Sequence, residues 1–143
     1  MKRVLITLPV LLLSVFFIYK QFFLKPEIGQ FKLLDLPWPT YCDFYKNEVD
    51  QSAGQAIFAF PSKEFGQTYV ANIDGGMQSF KYISETWKER DYQWLVHGND
   101  KYSIFLKITD HSDVEDIKRY SGSMRVNRNS SSKTIDVIGR CGT

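Results

Sequence analysis

Sixteen consecutive residues near the start, VLITLPVLLLSVFFIY from Val4 to Tyr19, carry no charge and follow directly on Lys2 and Arg3. A run of this kind must leave water, for lipid or for a protein core, so its destination constrains everything after it. A cleavable secretory signal needs small side chains one and three residues before the cut. The chain instead continues YKQFFLKPEIG, bulky at nearly every candidate site, and the first cysteine that a lipoprotein route would use comes only at Cys42. Extended through Lys20 and Gln21 to Phe22, Phe23 and Leu24, the run reaches roughly 21 residues. At about 1.5 Å per residue that crosses a hydrocarbon core about 30 Å thick, with Lys20 snorkelling. Residues 1–24 are therefore read as an uncleaved signal anchor that enters the membrane through residues 4–24.

Flanking charge does not decide which side the remainder occupies, because Lys2, Arg3 and the α-amine are nearly matched by Lys20, Lys25 and Lys32. The two cysteines do decide it. Cys42 opens the folded part and Cys141 lies near its end. One bridge between them closes a loop of about 100 residues, worth about 4–5 kcal/mol in the chain-entropy model, and such a bridge suits an oxidising compartment. The expected topology is single-pass in the inner membrane with the domain facing the periplasm. Residues 25–39, KPEIGQFKLLDLPWP, mix Pro, Gly and apolar residues without a period and are read as a tether; residues 40–143 form the domain.

From Pro37 onward there are 13 Lys and Arg against 14 Asp and Glu, so the small net charge of +2 belongs to the N-terminal part. No electrostatic footprint for nucleic acid is present. Period-two alternation dominates the same region, the mark of half-buried strands. Tyr41 to Val49 and Gln55 to Phe60 are candidates. TYVANIDGGMQSFKYI reads as a hairpin, Thr68 to Ile73 and Met77 to Ile83, turned by Asp74-Gly75-Gly76. A second hairpin pairs Gln93 to His97 with Lys101 to Thr109, where Tyr102, Ile104, Leu106 and Ile108 share one face. A third pairs Arg119 to Asn127 with Lys133 to Arg140 across NRNSSSK. Two short helical turns are expected, one in HSDVEDIKRY, where Ser112 and Glu115 have capping-box spacing, and one in SETWKERD from Ser84 to Asp91. The fold class is mostly β: a small antiparallel barrel or sandwich of six to eight strands, preceded by one N-terminal transmembrane helix.

Catalytic chemistry has little to work with. The histidines are His97 and His111, without converging ligands in sequence, so no metal or other cofactor is implied. No GxSxG elbow surrounds Ser123, the cysteines lack CxxC spacing, and Asp113, Glu115 and Asp116 read as a solvated charged segment. The final strands carry Lys118, Arg119, Arg125, Arg128, Lys133 and Arg140 against Asp136, while Asp110 to Asp116 before them is acidic. That local dipole suits an oppositely charged protein partner, with Arg119, Arg125 and Arg128 as candidate contacts, or the charged edge strands that discourage edge pairing.

The opening YCDFY, the IDGG hairpin and a cysteine near the C-terminus are similar to features of the periplasmic C-type lysozyme inhibitors. Those proteins carry a loop of the form SxxSGxxY; the nearest text here, RYSGSMRV, has a different order and spacing, so no binding residues are carried over. The expected function is that of a non-enzymatic, membrane-anchored envelope protein whose periplasmic β domain binds another protein, as an inhibitor, immunity or accessory protein does. The alternative is a structural subunit of an envelope complex, held through its transmembrane helix.

Overall fold

The computed structural model describes residues 12–19, 24–66, 68–88, 91–98 and 101–142, with side chains of residues 63 and 84–100 not described. Residues 12–19 are helical (α1). Among the described residues, no helix is long and apolar enough to cross a membrane. The anchor expected over residues 4–24 lies partly outside the described residues.

The rest is built on antiparallel strands: β1 (Ile28–Gly29), β2 (Phe31–Lys32), β3 (Thr40–Tyr45), β4 (Gln55–Ala56), β5 (Phe58–Pro61), β6 (Thr68–Ile73), β7 (Gly76–Lys88), β8 (Asp91–Gly98), β9 (Tyr102–Val114), β10 (Ile117–Arg128) and β11 (Ser131–Gly142). A short helix, α2 (Glu48–Ser52), follows β3. Strands β3 and β5 to β11 pair in chain order, and β11 pairs back to β3 through Ile138↔Tyr45 to Cys141↔Cys42. The result is a closed ring of eight strands, which leaves few bare edges. Strand β1 adds to β6 where β5 has ended, and β2 pairs with β4 outside the ring.

Alternation fills the interior. Tyr102, Ile104, Leu106 and Ile108 of β9 are buried, as are Met124 and Val126 of β10 and Phe44 of β3. Opposite Phe44 stands Gly139, where a Cβ would lie 2.3 Å from the phenyl ring. The missing side chain is therefore what makes room for that aromatic.

Several expectations change. HSDVEDIKRY is not helical: Ser112 and Val114 end β9, Ile117 begins β10, and Val114 pairs with Ile117 around Glu115-Asp116, with Glu115 at φ 55°. Ladder bonds on both strands outweigh one capping box. SETWKERD is not helical either, since β7 runs through Lys88, which pairs with Asp91. The strand expected from Tyr41 to Val49 stops at Tyr45. Asn47 then caps α2 by accepting from the Asp50 N–H at 2.9 Å, with Glu48 and Asp50 in its first turn. The strands outnumber the six to eight expected because two-residue segments pair as well. Two of these, β1 and β2, come from the stretch read as a tether, and Ile28 enters the core.

The turns of the IDGG hairpin and of NRNSSSK are as tight as their residues allow. Asp74 and Gly75 take φ 54° and 78°, and Asn129 takes φ 50°. In the second hairpin the turn residues 99 and 100 lie outside the described residues.

Candidate functional site

The disulfide joins Cys42 and Cys141, directly opposite each other where the first strand of the ring meets the last. One register position away on these strands, Arg140 stands opposite Asp43, and Arg140 in turn stands opposite Arg119 of β10. A row Asp43, Arg140, Arg119 therefore crosses three neighbouring strands on their outer face. Directly opposite positions bring Cβ atoms to about 5 Å.

Asp43 is buried, with 4% of its surface exposed. Its carboxylate accepts from Arg140 Nε at 2.9 Å and from the Tyr45 hydroxyl, and the Thr40 hydroxyl approaches it at 3.4 Å. Arg140 also donates to the Tyr45 hydroxyl at 3.3 Å and lies over its ring. Burial alone would lower the Arg140 pKa, but Asp43 and then Tyr45 hold it above its usual value. The Tyr45 hydroxyl is pushed upward, first by burial and then by its bond to Asp43. Tyr45 is fully buried and Arg140 has a side chain 43% exposed, so the cluster is anchored below and open above.

Above it, Gln51 and Ser52 of α2 and the following Gly54 form one wall of a cleft of about 370 Å³, and Ile117, Arg119 and Arg140 form the other. Arg119 also lines a smaller depression of about 130 Å³ with Asp110, His111, Ser112, Tyr120 and Ser121. Burial first, and then electrostatic repulsion from Tyr41 and Asp113, raises the pKa of Tyr120. The β9–β10 hairpin continues past this point to a tip whose residues from Thr109 to Arg119 are all exposed, including Val114 and Ile117.

The three arginines picked out by sequence do not converge. Arg119 belongs to the cleft. Arg125 is exposed on β10 and lies over the Phe105 ring, its cross-strand neighbour. Arg128 is buried at the opposite end of the ring, where it donates to Asp74 at 2.6 Å and to the Leu24 carbonyl. The Tyr102 hydroxyl and the Glu27 N–H also donate to Asp74, at 2.6 and 2.9 Å, and Ser131 donates to Leu24 at 3.0 Å. That end is thus occupied by the protein's own N-terminal segment.

His111 sits in the smaller depression, and the His97 side chain lies outside the described residues. Asp113, Glu115 and Asp116 are exposed around the hairpin tip, and no group of three potential metal ligands converges among the described residues. Sequence reading missed Asp43 and Tyr45; the period-two placement of both on one face of β3 was the available signal. Comparison with known proteins gives no match to a family model, a curated protein or a solved structure.

Proposed function

We propose that this protein is a non-enzymatic, membrane-anchored envelope protein, held in the inner membrane by its N-terminal apolar segment. Its disulfide-closed β domain, a small barrel, faces the periplasm and binds another protein at the end away from the anchor. The observation that carries this reading is the division of labour between the two ends of the ring. At one end Arg128 and Ser131 donate to the carbonyl of Leu24, the last residue of the apolar run, and Asp74, held by Arg128 and Tyr102, accepts from the Glu27 N–H. At the other, Arg119 lies in a cleft beside an exposed hairpin tip. Nine residue-to-residue steps of β10 separate Arg128 from Arg119, about 30 Å along an extended strand.

Attachment to lipid gives α1 an environment. Leu12, Leu13, Val15, Phe16, Phe17, Ile18 and Tyr19 are each more than half exposed, an apolar surface that water disfavours and a bilayer accommodates. The ring's interior is taken up by its own side chains, so recognition falls to the outside, and confinement beside the membrane raises the local concentration of a partner that acts there.

The test is site-specific photo-crosslinking in intact cells, with a photoreactive side chain at Val114 on the hairpin tip or at Met77 beside the opposite turn, followed by alkaline extraction of membranes. A discrete adduct from position 114 and none from 77, with the protein retained in the membrane pellet, supports the reading. Adducts from both positions, or from neither, refute end-specific binding, and release by alkali refutes the anchor. Replacing residues 1–24 by a cleavable signal preserves the adduct on this account; its loss favours a structural subunit held through its helix.

A further inference from the structure

We infer that the cleft between α2 and the outer face of β10 and β11 is a carboxylate-binding site, in which Arg119 and Arg140 together clamp an acidic side chain of the protein partner. The inference rests on the reading above, because it names the chemistry by which that partner is held.

Two arginines directly opposite each other on neighbouring strands repel, and a sheet normally avoids the arrangement. Here one of the two charges is compensated from behind. Asp43, buried and opposite Arg140, takes Nε of that guanidinium, while the Tyr45 hydroxyl takes one of its terminal nitrogens. Arg119 has no such counterpart: its side chain makes no hydrogen bond or ion pair with a described residue, and the cleft it lines contains two guanidinium groups and no carboxylate. With Asp43 counted, the lining of this cleft carries one net positive charge, the complement of a single carboxylate; Asp110 lies on the other side of Arg119, in the smaller depression.

Geometry supplies the rest. A guanidinium presents paired N–H groups that match the two oxygens of a carboxylate, and those of Arg140 are held in a fixed orientation by Asp43 and Tyr45. The strands that carry the pair are joined in a long ladder, from Ile117↔Gly142 to Arg128↔Ser131, and the disulfide pins Asp43 beside them. Ile117 in its lining, 41% exposed and paired across the strands with the exposed Val114, gives the site an apolar border. An open, apolar-rimmed cleft suits a side chain projecting from a protein surface better than a small free acid, which a closed pocket would surround.

The experiment uses the full chain in uncharged detergent micelles and fluorescence anisotropy of two labelled peptides, Gly-Glu-Glu-Glu-Gly and Gly-Gln-Gln-Gln-Gly. The glutamate peptide should bind and the glutamine peptide should bind about tenfold more weakly or not at all. Arg119→Ala should weaken the glutamate peptide by about tenfold, Arg119→Lys less, and Arg125→Ala, the same change of net charge elsewhere on β10, should leave binding unchanged. Equal binding of the two peptides, or equal effects of Arg119→Ala and Arg125→Ala, overturns the inference. So does tighter binding of free glutarate or inorganic phosphate than of the peptide, which assigns the cleft to a small anion. Circular dichroism of Arg119→Ala keeps a folding defect from imitating the result. If the Val114 adduct in cells survives Arg119→Ala undiminished, protein binding stands and the carboxylate clamp falls.

Discussion

Replacing Asp74 by Asn isolates the grip on the N-terminal segment. The carboxylate accepts from Arg128 at 2.6 Å, from Tyr102 at 2.6 Å and from the Glu27 N–H at 2.9 Å. The substitution keeps shape and one acceptor oxygen but removes the charge facing Arg128. Removing one partner of a fully buried pair costs about 3–5 kcal/mol, and an exposed pair is worth about 0–1 kcal/mol. Side-chain exposures of 9% for Arg128 and 23% for Asp74 place this pair between those limits, so the expected loss is about 2–3 kcal/mol. At roughly 4 °C per kcal/mol, the thermal midpoint should fall by roughly 8–12 °C.

The pH dependence follows from the same contacts. Burial opposes ionisation of Asp74, but the Glu27 N–H, the Tyr102 hydroxyl and Arg128 outweigh it and hold the carboxyl below its usual range. The folded pKa is below the unfolded one, so the stabilisation is present above about pH 4 and is lost as pH falls through the folded value. Wild type and Asp74→Asn should therefore differ at neutral pH and converge in acid. A local readout accompanies the melt: the Glu27 amide, bonded to Asp74 and itself beside the Asp74 N–H to Glu27 carbonyl bond of 2.9 Å, should lose protection from hydrogen exchange in the variant. A variant that melts within about 1 kcal/mol of wild type with Glu27 still protected would refute the reasoning.

Three further outcomes are expected. Tyr45→Phe removes one donor to Asp43 while Arg140 remains, and should cost about 1–2 kcal/mol in a urea titration at neutral pH. Because the Tyr45 pKa is raised on folding, its contribution is present below about pH 10 and fades as pH climbs towards the folded value, so the gap between Tyr45→Phe and wild type should narrow in strong alkali. Gly139→Ala should destabilise by about 1–3 kcal/mol through its contact with Phe44, and Phe44→Leu in the same chain should make the added methyl less costly, which a double-mutant cycle measures. The double variant Cys42→Ser, Cys141→Ser, which opens a link spanning 99 residues, should lose about 4–5 kcal/mol of stability and bind the glutamate peptide more weakly, because Asp43 and Arg140 flank the bridge.

Local rules made much of the sheet legible. Asp74-Gly75 turns a hairpin because both residues tolerate positive φ, and the alternation from Tyr102 to Ile108 buries the face it marks. The pairing of Cys42 with Cys141 was legible from their positions at the two ends of the domain. Helical spacing misled where the ladder was stronger: Ser112 and Glu115 fit a capping box, yet Val114 and Ile117 are cross-strand partners. The irregularity at Ser121 and Gly122 was hidden for a related reason. A Cβ on Gly122 would meet the Lys107 carbonyl at 1.9 Å, but which backbone approaches a strand glycine depends on the register of another strand. The site was half visible. Arg119 stood out as a charge and faces Arg140 across a hairpin the sequence marks, whereas the relation of Arg140 to Asp43, 97 residues earlier, exists only once the last strand closes on the first. Arg128 looked the same in sequence and is spent inside, because nothing local announces that Asp74 and Tyr102 will meet it.

The proposed periplasmic location requires the bridge between Cys42 and Cys141 to be formed in the cell, and thiol trapping in intact cells measures that state directly. Cells are lysed straight into denaturant containing N-ethylmaleimide, then reduced and treated with a heavy maleimide, and the full-length chain is followed by its shift on a gel. Cys42 and Cys141 should escape the first reagent and both take up the second after reduction. Full blocking of both by N-ethylmaleimide before reduction would contradict the bridge and the periplasmic assignment together.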